Sequence, residues 1–299
     1  MAIAGKIPTR KYLRQDRLPH IWCPGCGHGI VMQALVRAIH NVGLEQDKTV
    51  IVSGIGCSSR ASGYMDFDTI HTTHGRALAF ATGIKMANPE LNVIVMTGDG
   101  DASAIGGNHL IHAARRNIGI TCICLNNNIY GMTSGQFSPT TPQCMMATTA
   151  PYGVVDPSFD LCKLVQAAGA SYVARGTAMQ ARMLEKYITG GLKNDGFSFI
   201  EAIDQCPTYF GRKNKLGDAY AMMKRQQEVS VSASKAAAMT PAELEGKQVV
   251  GELWNSPRPE YAKAYDAVIA KAQQGATSED AARYAQRRSE VAPPEGGGR

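Results

Sequence analysis

The chain has no apolar run approaching the roughly eighteen residues that cross a bilayer. Its first twenty residues, MAIAGKIPTRKYLRQDRLPH, are basic and broken by proline, without the apolar stretch of a secretory signal. No membrane span and no leader are expected, and the expected compartment is cytoplasmic. Disulfides are rare there, so the eight cysteines read as metal ligands or buried apolar residues. Only one C-x₂-C hook is present, which leaves a zinc ribbon incomplete. The dense C-x₂-C-x₂-C-x₃-C run of a built-in ferredoxin is missing as well. The net charge of +6 is modest. Basic clusters at 6–17, 212–215 and 283–288 lack interleaved aromatics and any nucleic-acid motif, so a nucleic-acid partner is not expected. There is no internal repeat.

What is present is enough chain for a sizeable core: 299 residues, 44% of them hydrophobic. Apolar residues recur at helical spacing from 28 to 42, and Gly43 stops that helix. The continuous β-branched runs TVIVS (49–53), NVIVMT (92–97) and GITCICL (119–125) read as strands buried on both faces. Helices are expected at 76–86, 102–116, 158–168 and 178–189, with strands near 171–174 and 197–202. This alternation implies an α/β fold with a doubly wound parallel sheet. Ligands of such sheets sit beyond the carboxyl ends of the strands. Segments 53–59, 98–101 and 126–133 are therefore expected on one rim. Residues 131–157 read as a long functional loop. After Cys206 the composition turns polar and basic, 261–273 reads as an amphipathic helix, and APPEGGGR at the end reads as a flexible tail.

The segment from Gly98 to Gln136 carries the strongest chemistry. Gly98-Asp99-Gly100 ends one apolar run, and a triple asparagine, 126–128, ends another. Asp99 offers a hard carboxylate oxygen and Asn127 an amide oxygen, donors suited to Mg²⁺ against a diphosphate. The glycines let backbone approach phosphate closely. Cys23-Pro-Gly-Cys26 has three ordinary readings: half a zinc site, a redox dithiol or half an iron–sulfur site. The dithiol reading is weakened because Ile21-Trp22 makes a poor strand. Cys57 and Cys206 each follow a buried strand, while Cys122 and Cys124 read as strand-interior core.

Together these segments resemble the β subunit of the 2-oxoacid:ferredoxin oxidoreductases, most closely the 2-oxoglutarate type. The resemblance rests on WCPGCGHG (22–29), GIGCSSR (54–60), HTTHGRA (71–77), GDG (98–100) and NNNIYGMTSGQFSPTTP (126–142), and runs from about residue 15 to about 265. It implies a thiamine diphosphate-binding domain at 21–206, preceded by an arm (1–20) and followed by a C-terminal extension (207–275) and a tail (276–299). It implies one 4Fe–4S cluster on Cys23, Cys26, Cys57 and Cys206. It places Mg²⁺ on Asp99, Asn127 and the carbonyl of Ile129. Thiamine diphosphate contacts fall to Ile55, Gly56, Cys57, Ser58, Gly98, Gly100, Asp101, Asn127, Gly131, Met132 and Thr133. Arg60, where many relatives carry Lys, is the candidate for the substrate carboxylate, and His74 for contact with thiamine or substrate. His28, His109 and His112 read as structural. Asn126 and Asn128 read as shaping the turn.

The activity so implied is coenzyme A-dependent oxidative decarboxylation of a 2-oxoacid, with electrons passing through the cluster to a separate ferredoxin, in either direction. The segments 71–77 and 138–142 lean towards 2-oxoglutarate by resemblance, with pyruvate and branched-chain 2-oxoacids as alternatives. The chain carries only the diphosphate half of a thiamine site, so an α subunit is expected to supply the other half. Two rival readings are a thiamine-dependent decarboxylase or synthase subunit without redox chemistry, and a zinc-stabilised scaffold that catalyses nothing.

Overall fold

The continuous apolar runs become the centre of one sheet. In the computed structural model, which describes residues 7–274, 282, 283 and 286, the strands are β1 (Thr49–Ser53), β2 (Asp68–His71), β3 (Asn92–Gly98), β4 (Ile120–Asn126), β5 (Ile129–Tyr130), β6 (Gln136–Phe137), β7 (Tyr172–Thr177), β8 (Ser198–Ile203), β9 (Ser230–Ser232) and β10 (Gln248–Asn255). Eight of them form a sheet in the order β2-β1-β3-β4-β8-β7-β10-β9, and β5–β6 form a separate small hairpin. The pairings from β2 through β7 are parallel, and β10 runs antiparallel to β7. Every residue of β1, β4, β7 and β8 is buried, as expected of strands covered on both faces.

Helices supply the two covers. On one face, α1 (His28–Val42) packs Val31, Leu35 and Ile39 against Ile51, Ile94, Met96 and Ile123. Gly43, at φ +79°, ends this helix by bonding its N–H back to Ile39 and His40, a left-handed stop that glycine makes without strain. The helices α2 (Ala61–Tyr64), α3 (Ala77–Ala87), α4 (Asp99–Ser103), α5 (Gly107–Arg116), α6 (Leu161–Ala168) and α7 (Ala181–Lys193) follow. Leu78, Leu110, Ala114 and Val165 from α3, α5 and α6 cover the other face with Phe197 and Phe199. Leu184 and Ile188 of α7 join α1 on the first. Burial this complete makes a Leu→Ala change at Leu35 worth about 2–5 kcal/mol.

Three features differ from the sequence expectation. The helix expected at 102–116 is two helices, α4 and α5, broken at Ala104–Gly106. There the backbone packs so tightly that a Cβ on Gly106 would lie 2.3 Å from the Asp101 carbonyl oxygen. Edge strand β2 was not expected, because its residues are mostly exposed and carry no apolar run. The polar segment after Cys206 forms α8 (Ala219–Val229), α9 (Ala233–Ala236) and α10 (Pro241–Leu244) and returns β10 to the same sheet. The chain divides into one compact unit, Met1–Tyr261, and a second, Ala262–Arg299. Most of the latter's described part is α11 (Tyr261–Gln273). The tail expected at 276–299 lies outside the described residues, apart from 282, 283 and 286. No helix among the described residues is long and apolar enough to cross a membrane.

Candidate active site

Because β1, β3 and β4 are sheet neighbours, the segments that leave their carboxyl ends meet on one rim. They enclose a cavity of about 140 Å³ lined by residues 55–58, His74, 98–101, Asn127, Ile129 and 131–133, together with His28, Leu125 and Tyr130. Three segments far apart in sequence are thus brought together on one rim, as the strand order predicted.

Asp99 opens α4 and is buried, 3% exposed. Its Oδ2 accepts hydrogen bonds from the hydroxyls of Ser138 (2.5 Å) and Thr140 (2.7 Å). Burial pushes its carboxyl up to about 6, against the pull of those two hydroxyls and the Gly100 N–H; the charge of Asp204 adds to the rise. The groups that favour its ionised form are thus none of them cationic, so a buried carboxylate stands beside the cavity without its counter-charge. Asn127 Oδ1 accepts the Ile129 N–H at 3.2 Å, which folds the amide back over the start of the β5–β6 hairpin. Asn126 builds the turn: its Oδ1 accepts from the Asn128 N–H and the Thr140 hydroxyl, and its amide donates to Glu201. Asn128 takes the left-handed conformation, φ +61°. The Asp99 carboxylate and the Asn127 amide, both lining the cavity, carry hard oxygens of the kind Mg²⁺ takes.

Asp101 plays a different part. Its Oδ1 accepts from His74 Nδ1 (2.5 Å) and the N–H groups of Gly75 (2.7 Å) and Ile55 (3.3 Å), and its Oδ2 accepts the Thr97 hydroxyl (2.7 Å). One buried carboxylate therefore ties together the loops after β1, β2 and β3. A Cβ on Gly54 would sit 2.0 Å from its Oδ2, so glycine is required there. The bond to Asp101 leaves Nε2 of His74 as the nitrogen available to the cavity. Tyr130 closes the same wall: its hydroxyl donates to the Gly100 carbonyl at 2.9 Å, and its ring meets His74 edge-on at 5.9 Å. Burial pushes the Tyr130 phenol up to about 12, so it stays a donor. Gly100 permits this approach, since a Cβ there would lie 2.3 Å from the Tyr130 ring.

Cys57 and Cys206 stand together beside that wall, with Cys23 and Cys26 near enough to act on the charge of Cys57; the four grade from exposed Cys23 through partly buried Cys26 and Cys57 to buried Cys206. A Cβ on Gly131 would lie 3.3 Å from Cys57 Sγ and 3.7 Å from Cys206 Sγ, so the missing side chain leaves room at the sulfurs. Burial pushes the Cys57 thiol up to about 11. His28 opposes the rise, and negative charge on Cys26, Cys206 and Cys23 reinforces it. Burial also raises the Cys206 thiol, opposed by N–H bonds from Phe210 and Tyr209 in the π turn Pro207–Gly211. Thiolates here would repel one another, and a cationic metal core relieves that repulsion. Among the described residues no three His, Cys, Asp or Glu side chains close on a point fit for one metal ion.

Residues 54–202 match the family described as thiamine pyrophosphate enzyme, C-terminal TPP binding domain. The chain is 59% identical over 253 residues to the 2-oxoglutarate synthase subunit KorB of Methanothermobacter marburgensis, covering 85% of this chain and 89% of that one. It is 53% identical over 264 residues to the KorB subunit of Methanocaldococcus jannaschii, covering 88% and 98%. The chain is a member of the 2-oxoacid:ferredoxin oxidoreductase β-subunit family. The fold agrees: the 2-oxoglutarate:ferredoxin oxidoreductase from Magnetococcus marinus, solved with 2-oxoglutarate, coenzyme A and succinyl-CoA bound, superimposes with a TM-score of 0.80 at 32% identity over 97% of each chain.

Against this family's motifs, Arg60 departs from the rest of the candidate set. It does not line the cavity. The tight turn Ser58–Arg60 running into α2 carries it into a separate groove with Arg14, Arg17 and Tyr64, where its buried Nε has no hydrogen-bond partner. His109 and His112 lie on α5 and His71 ends β2, none of them lining the cavity. Thr133 is exposed and bonds to Gln136. Sequence reading did not single out Tyr130, nor Ser138 and Thr140 as holders of Asp99. The signal for the latter pair was the hydroxyl-rich SPTTP run just past the asparagines.

Proposed function

We propose that this β subunit acts on 2-oxoglutarate, in a coenzyme A-dependent oxidative decarboxylation that yields succinyl-CoA and carbon dioxide and passes electrons to a ferredoxin. The observation that carries the reading is the turn at residues 55–58, where Cys57 joins the other three thiols while its neighbours line the cavity. The names of relatives from several archaea point to the same substrate, and the Magnetococcus enzyme was solved with 2-oxoglutarate and coenzyme A bound.

In this reading Asp99, Asn127 and the Ile129 carbonyl hold Mg²⁺ against the diphosphate, with Ser138 and Thr140 fixing the Asp99 oxygen. Thiamine diphosphate supplies a carbon nucleophile and an electron sink when bound. Backbone at Gly56, Gly98, Gly100 and Gly131, with Ile55, Ser58, Met132 and Thr133, shapes the walls that orient it. His74, fixed by Asp101, holds or moves a proton at Nε2. Cys23, Cys26, Cys57 and Cys206 would hold a 4Fe–4S cluster, which would supply a one-electron acceptor, and Cys57 lies in the 55–58 turn that lines the cavity. Arg60 opens onto the separate groove with Arg14 and Arg17, so its unpartnered Nε would take a carboxylate there rather than at the cavity. An α subunit completes the site.

The experiment is to co-express the chain with its α partner, purify the complex without oxygen, and measure iron, visible absorbance and coenzyme A-dependent dye reduction across 2-oxoacids. The reading requires about four irons per chain, absorbance that dithionite bleaches, and 2-oxoglutarate as the best substrate. Zinc in place of iron, or turnover without dye reduction, would sink it. Full turnover by the lone chain would remove the α requirement.

A further inference from the structure

Two grooves flank the segment that carries Cys23, and neither is the cavity. The larger, about 860 Å³, holds both hook cysteines, Cys23 and Cys26, with Leu18, Pro24, Arg37 and Arg182 in its walls. The smaller, about 450 Å³, is lined by Arg14, Asp16, Arg17, Arg60, Ile21 and Tyr64. The ridge they share, Ile21–Cys23, is fixed from behind. The Ile21 N–H donates to the Tyr64 hydroxyl at 3.0 Å, the Trp22 ring meets that of Tyr64 edge-on at 5.1 Å, and the Trp22 indole donates to the Cys57 carbonyl at 2.7 Å. Its outer side is open: Ile21 is 66% exposed, and Cys23 is the most exposed of the four sulfurs. Charge around the ridge is mostly of one sign. The arm presents exposed Arg10, Lys11 and Arg17 against Asp16 alone, and α7 presents exposed Arg182 and Lys186. Glu185 is occupied by Arg37 at 2.6 Å and Asn41 at 2.7 Å. The lips of the cavity differ, since the large exposed side chains there, Ile55 and Met132, are apolar.

We propose that the face around Ile21–Cys23 is the docking surface for an acidic iron–sulfur carrier protein, and that the α subunit covers the cavity mouth instead. This rests on the cluster and ferredoxin reading made above. An exposed apolar side chain ringed by cations fits a carrier whose cluster-bearing face is ringed by carboxylates. The charges steer and orient the encounter, and the ridge offers the small contact area of a complex that forms and releases quickly. The carrier has to approach a ligand sulfur, and Cys23 is the one that reaches the surface. The exchange moves one electron from the cluster of this chain to the oxidised cluster of the carrier, with no bond made and no proton moved. Two surfaces of unlike chemistry thus serve two partners at once, so the carrier can come and go while the α subunit stays in place.

The test uses the complex with its α partner, purified anaerobically, and a small acidic ferredoxin of the C-x₂-C-x₂-C-x₃-C class. Calorimetry reads the Kd for oxidised ferredoxin at low salt, without turnover. Arg17→Glu and Arg182→Glu stand one on each side of the ridge, and each is expected to raise that Kd about fivefold, with the double variant weaker still. The ratio of ferredoxin-linked to dye-linked rate at limiting ferredoxin should fall in step. Added salt should weaken binding of the native complex more than that of the double variant. Arg116→Glu makes the same charge change on α5, which covers the opposite face of the sheet, and should bind as the native complex does. Native affinity in the double variant, or an equal loss in Arg116→Glu, would overturn the proposal. So would loss of the α subunit from the double variant in size-exclusion chromatography, which would assign this face to that subunit. A native complex that loads no iron would instead refute the cluster reading beneath it.

Discussion

Replacing Asp99 with asparagine is expected to make the metal-free protein more stable and at the same time useless. The carboxyl is buried, and its ionised form is supported only by two hydroxyls and an N–H. Its pKa is about 6 in the fold against 3.8 for an unperturbed aspartate. Because the folded value is raised, the folded state binds the proton more tightly than the unfolded chain. Stability from this group is present below about pH 4, declines as the pH rises through 6, and is gone by pH 7. At about 1.4 kcal/mol per tenfold, holding the ionised group in the fold at pH 7 costs about 3 kcal/mol. Asparagine keeps an oxygen for Ser138 and Thr140 and carries no charge. Urea denaturation of metal-free protein at pH 7 should therefore show Asp99→Asn more stable by up to about 3 kcal/mol. The gap should shrink to a few tenths near pH 4, where both proteins hold a neutral side chain. Calorimetry should show Mg²⁺-dependent thiamine diphosphate binding in the native protein and none in the variant. A variant less stable than native at pH 7, or a gap that persists at pH 4, would refute the reasoning.

Three further changes test other parts of the structure. Arg175→Met leaves Glu201 and Asp160 without the guanidinium that bonds them at 2.6 and 2.5 Å; a loss of about 3–5 kcal/mol in denaturation is expected, and less than 1 would contradict the burial argument. Asp101→Ala strands the N–H groups of Ile55 and Gly75 and frees His74. It should cost about 2–5 kcal/mol and weaken thiamine diphosphate binding at least tenfold, with Asp101→Asn in between; calorimetric affinities that match the native protein would argue against the stitching role. Gly131→Val fills the space beside Cys57 and Cys206, and should lower iron per chain in anaerobically purified complex while leaving Leu35 and the rest of the core untouched; native iron content would show that the gap is not needed.

The centre of the fold was legible because its physics is local. TVIVS, NVIVMT and GITCICL have no polar alternation, so they fit only a sheet covered on both faces, and they lie as β1, β3 and β4 within a residue of the expected bounds. Their adjacency then fixed which segments share the rim. What was not legible depends on distant partners. Strand β2 is polar but for Ile70 and exists because β1 offers it an edge. Strand β10 follows a basic, polar stretch, has no strict apolar alternation, and is held by antiparallel pairing to β7. The break at Ala104–Gly106 follows from backbone packing against Asp101, which helical periodicity does not report. At the site, glycine and asparagine types marked the segments that line the cavity, whereas Ser138 and Thr140 reach Asp99 across some forty residues. The direction of Arg60 depended on the turn that follows Cys57, and the bracing of three loops by Asp101 is a part its position in the motif did not disclose.

The gradation of the four sulfurs, from exposed Cys23 to buried Cys206, gives the proposed holoenzyme an inside and an outside. Cys57 belongs to the cavity wall and Cys23 to the surface, so in that holoenzyme an electron taken up at one would leave near the other. The same exposed side would be open to dioxygen. A carrier protein and a damaging oxidant would meet the proposed cluster at one doorway, and burying Cys23 to exclude the second would shut out the first. Sensitivity to air would then be the cost of external electron exchange through this short route.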